Sequence, residues 1–298
     1  MLELYDKVRK EIVGRDRELL RILSALEAKK HLLLEGPPGT SKSTILRTIT
    51  RLSNIPFYLL EGNIDLTPAK LVGHFNPAEV ISDNYKPEYF NKGPLTKAME
   101  EGGFLYIEEF NRMPADATNV LLVAMEEGEI NIPRYGKVVA KPGFTVICAQ
   151  NPLDDVGTLR VSRAFLDRVC RIKLDYQSEE EEIKIVEERT GTKNKDLIKL
   201  AVKLARETRD HPDLKLGVSI RGPIDMVQIA EKMLRLDLDE REALLDSMML
   251  AFSGKVWLDE LSEKSQEEVL EEIFNQIYTP TGATKKKVSL ELIRKEKN

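Results

Sequence analysis

Cysteine, histidine and tryptophan are scarce here: the 298-residue chain holds two, three and one of them. Cys148 and Cys170 have no metal-ligand spacing, which excludes a thiolate zinc site and points to a reducing compartment, with the cytoplasm as the expected location. Both are expected to be small buried hydrophobes in strands. Long apolar runs are also missing. None approaches the roughly 18 residues a membrane helix needs, and Met1-Leu2-Glu3-Leu4 is not a signal-peptide start. Basic excess is absent too: 45 Lys and Arg stand against 50 Asp and Glu, a net charge of −5, so no overall field draws the chain to nucleic acid. A local basic loop stays possible. No internal repeat or low-complexity segment is present. What remains is 42% hydrophobic and 32% charged, the balance of a soluble globular protein with length for one large or two ordinary domains.

The most informative stretch runs Leu32-Leu33-Leu34-Glu35-Gly36-Pro37-Pro38-Gly39-Thr40-Ser41-Lys42-Ser43-Thr44. An apolar run of strand length feeds a Gly/Pro turn that opens a helix. Backbone N–H groups of such a turn, and of the helix start, can cradle phosphate oxygens. Lys42 would supply positive charge to the outer phosphates, and the Ser43 hydroxyl could hold Mg²⁺. The stretch departs from G-x-x-x-x-G-K-S/T only at Ser41, which replaces the last glycine with another small residue.

A second stretch, Phe104-Leu105-Tyr106-Ile107-Glu108-Glu109, reads as a buried parallel strand ending in two carboxylates. In open α/β sheets ligands sit at that end. Glu108 would face the Mg²⁺ shell, and Glu109 would polarise the water attacking a γ-phosphate. The strand expected over residues 144–150 ends at Asn151-Pro152; Asn151 either orients that water and senses the γ-phosphate, or simply begins a turn.

Elsewhere the pattern predicts a helix over 2–13 and another from Asp16, as N-cap, to about Lys29. A second strand is expected over 55–61, and a short helix begins at Thr67-Pro68. Residues 74–94 lack any period and read as a long loop. A helix over 115–127 is followed by a hairpin over 129–140. Its tip carries Arg134, Tyr135 and Lys137, either a contact for a polymer or protein, or a plain surface turn. A loop with Gly157 leads to a short helix over 162–167, Arg168, and a last strand over 169–175. From Ser178 the chain turns all-helical, with helices near 178–190, 195–210, 222–235, 239–253 and 265–277. The run Glu179-Glu180-Glu181-Glu182 reads as a solvated helix start. Arg221 either reaches across an interdomain cleft or lies on the surface. The tail carries Lys285, Lys286 and Lys287.

In this order the motifs resemble the AAA+ ATPases, and within them the MoxR family. The matching residues are 36–43, Gly93-Pro94-Leu95, Glu109-Phe110-Asn111-Arg112, Ala124-Met125-Glu126-Glu127, Ala149-Gln150-Asn151-Pro152, Gly157-Thr158 and Ala164-Phe165-Leu166-Asp167-Arg168. The resemblance covers about residues 10–235. It implies a P-loop core with a five-stranded parallel αβα sheet over residues 1–176, with the hairpin near 129–140 as an insertion. A helical lid with a C-terminal extension would fill 177–298. It further implies Mg²⁺-dependent ATP hydrolysis, with Gly36, Pro37, Pro38, Gly39, Thr40, Ser41, Lys42, Ser43 and Thr44 around ATP, and Ser43 and Glu108 on the metal. Glu109 would be the catalytic carboxylate, Asn151 sensor 1, Arg168 the arginine finger and Arg221 sensor 2. Arg160 and Arg163 are rivals for the finger, and Arg168 could instead pair with Asp167 or Glu109 of its own chain. Glu108 departs from the usual Asp, which bears on Mg²⁺ geometry and turnover. With that strand order, the P-loop strand keeps Cys148 and Cys170 beyond disulfide reach.

The expected function is a ring-forming, commonly hexameric, chaperone-like remodeller of a protein partner, which the resemblance suggests carries a von Willebrand factor A domain. The alternatives are an NTPase subunit of a DNA-processing or restriction complex, and a nucleotide-gated scaffold that hydrolyses little. Nucleic acid is disfavoured by the acidic balance. GTP is disfavoured because Asn194-Lys195-Asp196-Leu197 lacks N-K-x-D spacing.

Overall fold

The apolar run ahead of the Gly/Pro turn forms a strand buried on both faces: Leu32, Leu33 and Leu34 are fully inaccessible. The computed structural model of the chain describes residues 2–152, 158, 160–236 and 238–279; Gly157 and the tail lysines lie outside the described residues. The chain divides into two compact units, residues 1–175 and 176–298. In the first, the strands are β1 (His31–Glu35), β2 (Phe57–Glu61), β3 (Gly73–Phe75), β4 (Phe90–Lys92), β5 (Phe104–Glu108), β6 (Glu129–Ile132), β7 (Gly136–Val139), β8 (Thr145–Gln150) and β9 (Val169–Lys173).

Five strands in the order β2-β5-β8-β1-β9 make one parallel sheet. Side chains alternate between its faces with the period of two that strands impose. Leu33, Leu105, Ile107, Val146 and Cys148 pack with Leu95, Met99, Leu121 and Phe165 from the helices Pro94–Glu101, Ala115–Glu127 and Arg163–Leu166. Leu32, Leu34, Tyr106 and Ile147 pack on the opposite face with Val8, Leu19, Ile22, Ile45 and Ile49 from the helices Leu2–Val8, Asp16–Glu27 and Lys42–Ser53. Two apolar layers thus clamp one sheet, and every strand's C-terminal end falls at the same edge.

Several local expectations are corrected. Asp16 does not cap its helix: Arg15, in left-handed conformation, holds that position, and the Asp16 carboxylate accepts from the Tyr5 hydroxyl at 3.1 Å. The first helix stops at Val8. The stretch read as a long loop contains β3, the helix Pro77–Asp83, a 3₁₀ turn Pro87–Tyr89 and β4, with β3 and β4 paired antiparallel. Cys148 is buried, but Cys170 is exposed because β9 is an edge strand. β1 does lie between their strands, with Leu33 opposite Cys148 and Leu32 opposite Cys170, and both thiols are free. Two strand spacings, about 9.6 Å, exceed the roughly 7 Å limit between bridged Cα atoms.

The second unit packs the helices Glu179–Thr190, Lys195–Asp210, Arg221–Met233, Glu240–Phe252 and Gln266–Ile277 around one core that includes Ile198, Val202, Met226, Met248, Phe252 and Phe274. Two short strands, β10 (Leu214–Leu216) and β11 (Trp257–Leu258), pair antiparallel. The acidic helix start is only partly solvated. Ser178 and Glu181 form a capping box, but Glu182 is buried and gripped by Arg206 at 3.1 Å and Arg209 at 2.7 Å. Among the described residues no helix is long and apolar enough to cross a membrane.

Candidate nucleotide site

At the C-terminal edge of the sheet the chain leaves β1 through Gly36, where a Cβ would lie 2.0 Å from the Leu174 carbonyl oxygen. No side chain fits there, so the loop can run flush against the strand end. Gly39 (φ 76°) and Ser41 (φ 67°) are both left-handed. Ser41 therefore occupies the conformation that explains a glycine at this place in P-loops. It precedes the helix Lys42–Ser53, and its side chain makes no capping hydrogen bond. A helix start of this kind is a ready anion site.

Lys42 curls back over the loop, its Nζ donating to the carbonyls of Gly36 (2.8 Å) and Pro37 (2.9 Å) and to Thr40 Oγ1 (3.3 Å). Thr40, buried, donates in turn to the Pro37 carbonyl at 2.9 Å. Pro37, Pro38 and Gly39 are half-buried and Thr44 is exposed. The Ser43 hydroxyl donates to the Glu108 carboxylate, so two motifs 65 residues apart meet. Beneath them burial pushes the Tyr106 phenol well above its usual pKa and keeps it protonated.

Glu109 is left-handed (φ 50°, ψ 40°), and its carboxylate pairs with Arg112 Nε at 3.2 Å. Its backbone oxygen lies 2.4 Å from where a Cβ on Gly62 would stand, so this glycine lets the end of β2 approach the turn after β5. Asn151 follows β8 directly, and its backbone carbonyl accepts from Asn111 Nδ2 at 3.3 Å. Between β1 and β8, Gln150 Nε2 donates to Glu35 Oε1 at 2.8 Å, and Arg171 pairs with the same carboxylate.

The structure thus brings Gly36 to Ser43, Glu108, Glu109 and Asn151 to one edge. It does not bring Arg168 there. Arg168 stands just before β9, whose first residue pairs with His31 at the start of β1. Its partner is neither Asp167 nor Glu109: Nε donates to Glu126 at 3.1 Å and Nη1 to the Ala164 carbonyl at 2.7 Å. Arg163 begins the short helix and is exposed, as is Arg160. Arg221 is exposed at the start of its helix in the second unit.

The hairpin tip is occupied within its own unit. Tyr135 stacks on Phe90 (4.4 Å between centroids) and donates to Glu100, Arg134 lies 3.8 Å over the Tyr85 ring, and Lys137 pairs with Glu129 at 2.5 Å. Sequence reading missed Glu35, Asn111 and Arg171. A charge ending an otherwise apolar strand was the available signal for the first; the motif Glu109-Phe110-Asn111-Arg112 contains the second without giving it a role, and nothing local marks Arg171.

Residues 31–169 match the AAA domain of the dynein-related subfamily. An uncharacterized Bacillus subtilis protein, YeaC, is 28% identical over 254 residues, 76% of each chain. The gas vesicle ATPase GvpN of Haloferax mediterranei is 29% identical over 247 residues, covering 78% of this chain and 70% of its own. Among solved structures, the Thermotoga maritima RuvB Holliday junction branch migration motor superposes with a TM-score of 0.55 at 20% identity, over 83% of this chain and 72% of its own. A Cytophaga hutchinsonii crystal structure gives 0.53 at 22% identity over 93% of both. At these identities the structural likeness speaks for the fold alone. The domain match falls on the stretch that builds the sheet and its phosphate-binding loop: the chain carries an AAA domain over residues 31–169, on an AAA+ P-loop fold.

Proposed function

We propose that the protein is a ring-forming, Mg²⁺-dependent ATPase that works as a chaperone-like remodeller on a protein client in the cytoplasm. The observation that carries this reading is the hydrogen bond between Ser43 and Glu108. A hydroxyl and a carboxylate oxygen in contact beside a phosphate-binding loop are the hard donors Mg²⁺ takes when it also binds phosphate. Residues 36–44 would hold ATP, with Lys42 turning from the loop carbonyls to the outer phosphates. Glu109 would orient and deprotonate the attacking water, and Asn151 would sense the γ-phosphate. Arg221, exposed in the second unit, would act as a second sensor.

The position of Arg168 supports a ring, for which six copies is the reading. It precedes the start of β9, while the P-loop leaves the far end of β1, about 16 Å away along the strands at 3.3 Å per residue. An arginine there is suited to a neighbouring copy's nucleotide rather than its own. A client with a von Willebrand factor A domain fits the family reading. The net charge of −5 and the internally paired hairpin tip favour a protein over nucleic acid.

Two variants test the site. Lys42→Ala removes the charge that attracts ground-state phosphates, so nucleotide binding should be lost. Glu109→Gln should keep binding, measured with a fluorescent ATP analogue, and lose at least about 100-fold in turnover, within the range of general-base catalysis. Wild-type hydrolysis by Glu109→Gln would refute the assignment.

A further inference from the structure

Asn111 is the least expected polar residue at this edge. It sits in the 3₁₀ turn Phe110–Arg112, two residues past Glu109, and is 8% exposed. The turn is anchored by Phe110, whose ring stacks on Phe165 at 4.2 Å. Asn111 Nδ2 donates to the Asn151 carbonyl at 3.3 Å, whereas its Oδ1 is buried and meets no hydrogen-bond partner among the described residues. A buried amide with an unmet acceptor is destabilising, and an apolar side chain of the same size would remove that cost. Packing alone therefore does not account for an amide here.

Its bond has a counterpart on the other side of Asn151. The preceding residue, Gln150, is tied to Glu35 at 2.8 Å, and Glu35 is the last residue before the P-loop. The pair Gln150-Asn151 is thus held from the P-loop strand by one amide and from the turn after Glu108-Glu109 by the other. Any displacement of either motif is passed to Asn151.

We propose that Asn111 is a positioning residue for ATP hydrolysis, acting by fixing Asn151 relative to the Glu108-Glu109 turn. This rests on the reading of Asn151 as the γ-phosphate sensor. The bond is made to the backbone of Asn151, so Asn111 sets where that residue's amide stands without touching the nucleotide itself. Losing the bond leaves the phosphate-binding loop intact and misplaces only the sensor, so turnover suffers and affinity does not.

The experiment compares wild type, Asn111→Asp, Asn111→Leu, Asn151→Ala and the double variant Asn111→Asp/Asn151→Ala, reading steady-state kcat and the Kd of a fluorescent ATP analogue. Asn111→Asp keeps size and an acceptor but loses the donor; Asn111→Leu loses both. Each should lower kcat about five- to tenfold, as expected for one hydrogen bond, with Kd within twofold of wild type. In the Asn151→Ala background the same change should cost less than about twofold further, because residues acting through one another are non-additive. Asn111 variants with wild-type kcat, a loss confined to Kd, or losses that multiply in the double variant would each overturn the proposal. An inactive Asn151→Ala beside unaffected Asn111 variants would overturn it alone; wild-type turnover by Asn151→Ala would overturn the sensor reading as well. Should Asn111→Leu fail to fold, Asn111→Asp, equal in size and still polar, decides the outcome.

Discussion

Replacing Ser41 tests the loop geometry directly, because this residue stands in left-handed conformation at φ 67°, ψ 16°. That region costs an L-residue about 1–2 kcal/mol. Glycine avoids the clash but gives up about 0.5–1 kcal/mol in the freedom it loses on folding. Ser41→Gly should therefore be stabilising by a net of about 0–1.5 kcal/mol, or up to about 6 °C in Tm for a domain of 150–250 residues. Ser41→Val goes the other way. A β-branched side chain is a true outlier at positive φ, so the turn that swings Lys42 over the Gly36 and Pro37 carbonyls should be lost. Thermal melts with and without Mg²⁺-ATP read both effects. Ligand at 100 times its Kd adds about 2.7 kcal/mol to the folded state, so wild type and Ser41→Gly should show a clear ATP-dependent rise in Tm. Ser41→Val should melt lower and show almost none. A Ser41→Val protein with the melting point and ATP response of wild type would refute the left-handed turn and, with it, the reason for a small residue before the lysine.

Arg168→Ala and Glu109→Gln assemblies should each be nearly inactive alone, yet regain part of the activity when co-assembled, since an arginine finger acting in trans is worth about 10³–10⁵ in rate; absence of recovery in verified mixed assemblies would count against action between copies. His31 should make stability pH-dependent: burial lowers its pKa, and its Nδ1 accepts from Val146 N–H at 2.9 Å, which requires that nitrogen to be unprotonated. The unfolded chain then binds the extra proton more readily, so this contribution is full above about pH 6.5, the unfolded value, and is lost as pH falls through the folded one. Wild type should lose Tm between pH 7.5 and 5.5 more steeply than His31→Gln, and equal slopes would refute the assignment.

The nucleotide edge was legible in the sequence because its chemistry is local. A strand buried on both faces has to be an unbroken apolar run. A charged or amide residue closing such a run, as Glu35, Glu108 and Gln150 do, is held at the strand end. Parallel pairing then carries all the ends to one side without any further signal. Residues 73–92 were illegible for the opposite reason. β3 and β4 are three residues each, too short for a period, and are held by the ladder Tyr85, Phe75, Phe90 and Tyr135, whose last ring arrives from the hairpin. Glu182 looked solvated among its acidic neighbours because the two arginines that bury it come 24 and 27 residues later.

Arg168 marks where reading by motif gives way to geometry. The motif implied a role, and a single strand register supplies the reason that role would fall on a second copy: the residue immediately precedes β9 at the edge where β1 begins, away from where β1 ends. What no local pattern offered is its tether, Glu126, 42 residues earlier. For Arg168 to reach a neighbour's phosphate it has to exchange that half-exposed pair for another anion. The exchange is cheap, since a surface ion pair contributes about 0–1 kcal/mol. In the proposed ring Arg168 would therefore be held without being locked, and a triphosphate on an adjoining copy, with its higher charge, would be the stronger partner.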